Sequence, residues 1–185
     1  VPSIIKMKNI IKKNLSPNSK IELKWYINPR TSNKKIWKND VKKGGGELNN
    51  FFFHVISILN FWFGKNYSLE LKKKSNELFI ISFKQKKIIF NIRFAVNKYN
   101  NLFLFKLSNP KSTYYLINKS KDYHNYFKIY KDENIFFDKN FKKNYSRILS
   151  TKEILKYYFS KNIKSDFMFK NSINIQNKIF DLQSV

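Results

Sequence analysis

Apolar and polar positions alternate in short runs along most of this chain, and one stretch departs from that rhythm. From Leu48 to Phe63, Phe51, Phe52, Val55, Leu59 and Trp62 recur at helical spacing, which predicts a helix with a broad apolar face. Crossing a bilayer takes about 20 uninterrupted apolar residues. Asn49, Asn50, His54, Ser57 and Asn60 interrupt this run, so it is expected to be a buried helix of a soluble domain, without membrane insertion. Around it lie segments rich in β-branched and aromatic residues that predict strands: 20–27, 67–71, 78–83, 88–94, 103–107, 114–117, 126–130 and 135–137. The Lys84–Lys87 run between the third and fourth reads as a hairpin tip.

Residues 1–15 set isoleucines among lysines and read as a short basic amphipathic helix or an irregular arm that ends at Ser16-Pro17-Asn18. The polar stretch from Asn28 to Lys43, closed by Gly44-Gly45-Gly46, reads as a loop. A helix is expected at 151–158, capped by Ser150 or Thr151. The pattern weakens after Lys161, where a loosely held tail is expected, and there is no internal repeat. The fold class is therefore α+β: an antiparallel sheet with helices packed on one side, basic loops and extended basic termini. The expected divisions are a basic N-terminal helix or arm at 1–16, a single domain at 17–160 and a C-terminal tail at 161–185.

Composition adds a demand for a partner. The formal net charge is +25, which makes a compact domain repel itself and calls for a polyanion, nucleic acid or an anionic membrane surface. Hydrophobic residues at 42% and aromatics at 18% supply a packed core, which excludes a wholly disordered basic tail. Of 37 basic residues all but Arg30, Arg93 and Arg147 are lysines, so contacts to phosphate are expected to be point charges rather than bidentate forks. Abundant Lys, Asn, Ile, Phe and Tyr with scarce Gly, Pro and Ala imply a very AT-rich genome, which suits a mitochondrion and, less well, a plastid. The absence of cysteine rules out disulfides and thiolate metal sites. Val1–Lys8 resemble neither a secretory signal nor a transit peptide, and Val1 leaves a non-standard start or trimming open.

Catalytic chemistry is hard to assemble from these residues. The two histidines, His54 and His124, are far apart; His54 is expected buried in the apolar helix and His124 solvated in a turn. The triple glycine lacks the strand before it and the Lys-Ser/Thr after it that a phosphate loop needs. Asp132 and Glu133 are adjacent, which puts them on opposite faces of a strand. The expectation is therefore a non-enzyme with no catalytic residue, no metal and no cofactor. What stands out are lysine clusters interleaved with aromatics: Lys72-Lys73-Lys74-Ser75, Lys84 to Lys87, Lys34-Lys35 and Lys42-Lys43. These are expected to meet phosphates, by backbone and shape rather than by base reading.

In this order of features the chain resembles the large-subunit ribosomal protein five family. Pro17-Asn18-Ser19-Lys20-Ile21-Glu22-Leu23 to Asn28 is similar to the stretch that opens the family, Gly64-Lys65-Asn66 to the turn after its helix, and Lys73-Lys74-Ser75 to its K-K-S. Phe79, Tyr99, Asn125-Tyr126, Ile135-Phe136-Phe137-Asp138 and Ile148-Leu149-Ser150-Thr151 continue the similarity with collinear spacing over residues 17 to about 160. Pro29-Arg30-Thr31-Ser32 replaces a glycine-rich run, and Phe137 replaces a proline. The resemblance implies a structural constituent of an organellar, mitochondrial, large ribosomal subunit at the central protuberance. Its implied partners are large-subunit rRNA, 5S rRNA where present, the peptidyl-site tRNA, and neighbouring ribosomal proteins including the small-subunit head. On that resemblance Asn28, Lys65, Asn66, Lys73, Lys74 and Ser75 would face rRNA and Lys84, Lys86 and Lys87 the tRNA, and Lys20, Arg30, Lys34, Lys35 and Lys72 are expected as further RNA-binding residues. The alternatives are another organellar ribosomal protein, a matrix-facing accessory subunit of a respiratory membrane complex and, more remotely, an RNA-processing enzyme.

Overall fold

The computed structural model describes residues 2–28, 46–75, 78–96, 100–120, 126–138 and 166–183, with side chains in the last span from 172 onward. Among them eight strands form one sheet. Helix α1 spans Pro2–Asn14, β1 Lys20–Ile27 and α2 Phe53–Phe63. The strands β2 Ser68–Lys74, β3 Phe79–Gln85, β4 Ile88–Val96, β5 Leu102–Asn109, β6 Ser112–Asn118, β7 Lys128–Lys131 and β8 Asn134–Asp138 follow, and α3 covers Asp166–Gln183. The order across the sheet is β2-β3-β4-β1-β5-β6-β7-β8. Every described neighbour pair is antiparallel except β1 with β4, which run parallel because α2, β2 and β3 intervene between them in the chain.

Period-two alternation explains why these segments are strands with one dry face. On β1, Leu23, Trp25 and Ile27 are buried while Lys20, Glu22, Lys24 and Tyr26 face the other way. The same phase recurs as Phe79, Ile81 and Phe83 on β3, Phe90, Ile92 and Phe94 on β4, and Phe103, Phe105 and Leu107 on β5. The helices cover this face. Met7, Ile10 and Ile11 of α1, Val55, Ile56, Leu59 and Trp62 of α2, and Ile175, Ile179 and Leu182 of α3 join one core cluster. Aromatic pairs fix the seam: Trp62 lies 4.5 Å from Phe105, and Phe52 5.2 Å from Phe94. Full burial of such side chains is worth about 1.5–3 kcal/mol each.

Ends and turns follow the local chemistry. Gly64 closes α2 at φ 80°, a left-handed conformation that a side chain rarely adopts. The β3–β4 hairpin turns at Lys86-Lys87, with Lys86 at φ 51°. Gln85 braces it by donating from Nε2 to the carbonyls of Phe63 at 2.8 Å and Asn66 at 3.1 Å. The β7–β8 turn is held by Asp132, whose carboxylate accepts the Thr113 N–H at 2.8 Å.

The strand and hairpin expectations from alternation correspond to elements of the sheet, and the α+β class with a mostly antiparallel sheet stands. Three details differ. The apolar helix starts as a π-helical turn at Leu48–Phe52 before α2 begins. His54 is exposed rather than buried, packing edge-on against Trp25 at 5.9 Å and against Phe53 at 3.9 Å. The terminal segments are not extended: α1 packs on α2 and β7, and α3, where periodicity is weak, packs on α2 and β2. Among the described residues no helix is long and apolar enough to cross a membrane. The helix expected at 151–158, His124, Tyr99, Arg30, Lys34, Lys35, Lys42 and Lys43 lie outside the described residues.

Candidate ligand-binding face

With the described helices on one side, no described element covers the opposite face of the sheet, and the composition of that face follows from the strand register. One row runs Ile80, Arg93, Lys24, Leu104, Ile117, Lys128 and Asp138 across seven strands. A second joins Glu22, Lys106, Tyr115 and Tyr130. Lys24 pairs with Glu22 at 2.6 Å, Lys128 pairs with Asp138 at 2.9 Å, and the Lys106 ammonium lies 5.3 Å from the Tyr115 ring centre. Cations outnumber carboxylates along these rows, and tyrosines lie between them. Such a face offers phosphate neutralisation and ring stacking together.

The face deepens at the β6–β7 end into a cavity of about 530 Å³ lined by Ile117, Lys119, Ser120, Tyr126, Lys128 and Tyr130. That volume suits a small organic ligand. Its floor is sheet: Ile117 lies opposite Lys128, and Tyr115 opposite Tyr130. Its rim is irregular. Ser120 sits in a turn where its N–H donates to Asn118 Oδ1 at 2.7 Å, and Tyr126 has φ 62°, a strained value for a residue with a side chain. The hydrogen bond and charge of Asp138 raise the pKa of Lys128, so this ammonium stays protonated through the neutral range. A second cavity, about 330 Å³, lies beside α1 and is lined by Lys6, Asn9, Lys12, Lys13, Tyr114 and Phe136 among others. Lys12 and Lys13 occupy the last turn of α1, where cations offset the exposed carbonyls of the helix end.

On the helix side, the buried Tyr67 and the half-buried Lys178 form a polar pair. The Tyr67 hydroxyl donates to Asn60 Oδ1 at 2.8 Å, and Lys178 donates to the Tyr67 carbonyl at 2.6 Å with its ammonium 4.0 Å from the ring centre. Burial pushes the Tyr67 phenol well above its usual pKa, so it is a poor proton donor for catalysis and serves as an anchor. A raised folded-state pKa means that stabilisation is complete below about pH 10 and is lost as pH climbs through the folded value. Lys178 works the other way: burial lowers its pKa, with Asp181 opposing, so its contribution improves as pH rises toward that of a free lysine. Tyr67→Phe is expected to cost about 1 kcal/mol at neutral pH and to flatten the alkaline loss of stability. Urea unfolding at pH 8 and above pH 10 measures both, and an unchanged alkaline limb would assign that loss to other groups.

The predicted contact residues fall into separate places. Lys65, Asn66, Lys84, Lys86 and Lys87 gather at one end of the sheet, with Lys20 on the same side of β1. Lys72, Lys73, Lys74 and Ser75 lie at the opposite end of β2, roughly 20 Å away by strand rise along β3. There they form the end of an edge strand, where lysines discourage pairing with other sheets. Lys72 is paired with Glu70, and burial raises the pKa of the Glu47 carboxyl, with the Lys74 charge only partly opposing it. Ser75 donates to the Leu78 carbonyl at 3.3 Å, closing the β2–β3 connection. Asn28, at the far end of β1, donates its N–H to Asn101 Oδ1 at 3.0 Å. Of the candidates, Lys20 and Lys73 lie on the open face, Lys73 opposite Ile80 in the row of Arg93 and Lys24, whereas Lys24, Arg93, Lys106, Lys119, Lys128, Tyr126 and Tyr130 were not among them. They come about one per strand, so they form no run in the sequence.

The architecture is thus an open-faced, mostly antiparallel α+β sheet. No protein-family model matches the chain, and no curated protein matches it. Solved structures do. A 3-ketoreductase from Actinomadura kijaniata, in complex with NADP and TDP-benzene, matches over 100% of this chain and 59% of its own, at 8% identity and a TM-score of 0.73. The same enzyme with NADP alone matches over 100% and 57%, at 8% identity and a TM-score of 0.67. Its tyrosine-to-phenylalanine variant, with both ligands, matches over 96% and 56%, at 8% identity and a TM-score of 0.68. The chain therefore spans under two thirds of the enzyme it matches, and at this identity the likeness is one of fold.

This match overturns the ribosomal expectation. The fold matched is the one seen in part of a 3-ketoreductase and not that of the ribosomal protein five family, so the structural, non-enzymatic role at the central protuberance falls with the resemblance that implied it. The implied rRNA, 5S rRNA, tRNA and ribosomal-protein partners fall with it, and neither the other ribosomal reading nor the respiratory accessory subunit gains support. The physical reason is that short motifs such as Lys73-Lys74-Ser75 mark the ends and turns of a lysine-rich sheet, features that unrelated sheets share.

The ligands of the matched enzyme can be tested against the residues present. A dinucleotide cradle needs a glycine-rich turn between a strand and a helix. Among the described residues the glycines are Gly46, just before the π-helical turn, and Gly64, past the end of α2, where a Cβ would meet nothing within 4 Å. The described residues do not fit a dinucleotide in that manner.

Proposed function

We propose that this chain is the substrate-side sheet of an oxidoreductase of the ketoreductase type, holding a nucleoside-diphosphate-linked substrate on its open face. The observation that carries the reading is the alignment of the whole chain, at a TM-score of 0.73, with a 3-ketoreductase bound to NADP and TDP-benzene. The chemistry of the face supports it. Lys24, Arg93, Lys106, Lys119 and Lys128 supply cations for a diphosphate, and Tyr115, Tyr126 and Tyr130 supply rings for a base. A net charge of +25 draws such anions in from solution. The role of these residues is to bind and orient the substrate.

The test is equilibrium titration of the full chain with thymidine diphosphate at two ionic strengths. Saturable binding that weakens with salt is expected. A chain that binds no thymidine diphosphate at low salt would remove the reading.

A further inference from the structure

We propose that the β6–β7 cavity is the diphosphate subsite of this face, and that Asp138 regulates it by competing with the ligand for Lys128. The proposal deepens the reading just given and rests on it. Across the open face, Lys24 is engaged by Glu22, and Lys106 lies against Tyr115 on flat sheet. At the β6–β7 end concavity, cations and rings coincide. Lys119 and Lys128 stand on the rim and floor of one cavity of about 530 Å³ with Tyr126, Tyr130 and Ser120. Phosphate oxygens would accept from the two ammonium groups and the Ser120 hydroxyl, while a base lies against a tyrosine ring.

Asp138 gives the site its distinctive behaviour. It pairs with Lys128 across β7 and β8 at 2.9 Å, so a phosphate must displace or share this ammonium. The carboxylate therefore both holds Lys128 in place and opposes a bound anion. Removing its charge without changing its size should tighten binding, an outcome that a merely structural ion pair does not predict.

The experiment titrates thymidine diphosphate and inorganic pyrophosphate into the full chain and into three variants at one ionic strength. The double variant Lys119→Gln with Lys128→Gln is expected to weaken both probes by roughly tenfold or more, the scale of one lost charge-assisted hydrogen bond. Asp138→Asn is expected to tighten both by a few fold. Tyr126→Ala is expected to weaken thymidine diphosphate and leave pyrophosphate unchanged. All four positions are at least partly exposed, and matched urea midpoints check that the variants fold. If thymidine diphosphate binds the parent chain but these variants bind it equally well, the subsite is wrong while the open-face reading survives. If the parent chain does not bind it, that reading fails first. Weaker binding by Asp138→Asn would overturn the competition and leave Asp138 as a positioning residue for Lys128.

Discussion

Phe94→Ala should destabilise the fold by about 3–5 kcal/mol, the range for emptying a fully buried phenylalanine site. Phe94 sits on β4 near the middle of the sheet, fully buried, with Phe52 at 5.2 Å, Phe79 at 5.7 Å and Trp25 at 6.1 Å. The neighbours come from a π-helical turn, from β3 and from β1, so they cannot close the gap together without shifting both layers. Domains have about 5–15 kcal/mol in total, and a chain of charge +25 opposes its own compaction. The variant is therefore expected to be partly unfolded at low salt and to recover as salt is added. Urea unfolding measures the loss. Arg93→Ala is the control, because this neighbour points to the open face and should change stability by no more than about 0.5 kcal/mol. Equal losses in the two variants would refute the two-faced sheet.

That contrast also shows what was legible in the sequence. Residues 20–27 stand out as a strand because Leu23, Trp25 and Ile27 alternate with Lys20, Glu22, Lys24 and Tyr26, and β1 has those bounds. The Lys84–Lys87 tip was readable because a turn of lysines separates two apolar runs. Helix α3 was not. Its core positions Ile175, Ile179 and Leu182 do fall at spacings of four and three, but Asn, Gln and Lys surround them, and Ile173 and Phe180 point outward and blur the stripe. His54 was misplaced because the helix is apolar around most of its circumference, so its neighbours in sequence did not reveal which face it occupied.

The proposed ligand face was hidden for a different reason. Lys24, Lys106 and Lys128 are polar positions on alternating strands and look like ordinary solvent-facing residues. Only the pairing of Lys24 with Leu104, Leu104 with Ile117, and Ile117 with Lys128 sets Lys24 and Lys128 in line, with Lys106 in the neighbouring row opposite Glu22. The net charge announces an anionic partner, but Coulomb attraction is indifferent to whether the phosphate belongs to a nucleic acid or to a nucleotide. Runs such as Lys72–Lys74 drew attention because they are contiguous, although contiguity on an edge strand serves solubility as readily as recognition.

The second large effect is expected at α3. Ile179→Asp places a carboxylate where the side chain is now buried, among Ile175, Leu182 and the surface of α2 and β2. Keeping the helix docked around an unpaired charge costs several kcal/mol. Releasing the helix instead forfeits the burial of three side chains, roughly 1.5–3 kcal/mol apiece before ordering entropy is returned. The two routes are comparable, and release is the cheaper where the lysine-rich surface and water can solvate the freed carboxylate. An 18-residue segment is marginal as a helix once undocked. Hydrogen exchange should therefore lose protection through 166–183 while amides of β1, β4 and β5 keep theirs. The Tyr67 ring would lose Lys178, and its alkaline signature should shrink. Protonating the new carboxyl removes the charge, so docking should recover at acidic pH. Because α3 and the open face lie on opposite sides of the sheet, thymidine diphosphate binding should survive in the folded variant. Uniform loss of protection across the sheet would show instead that α3 is part of one indivisible folding unit.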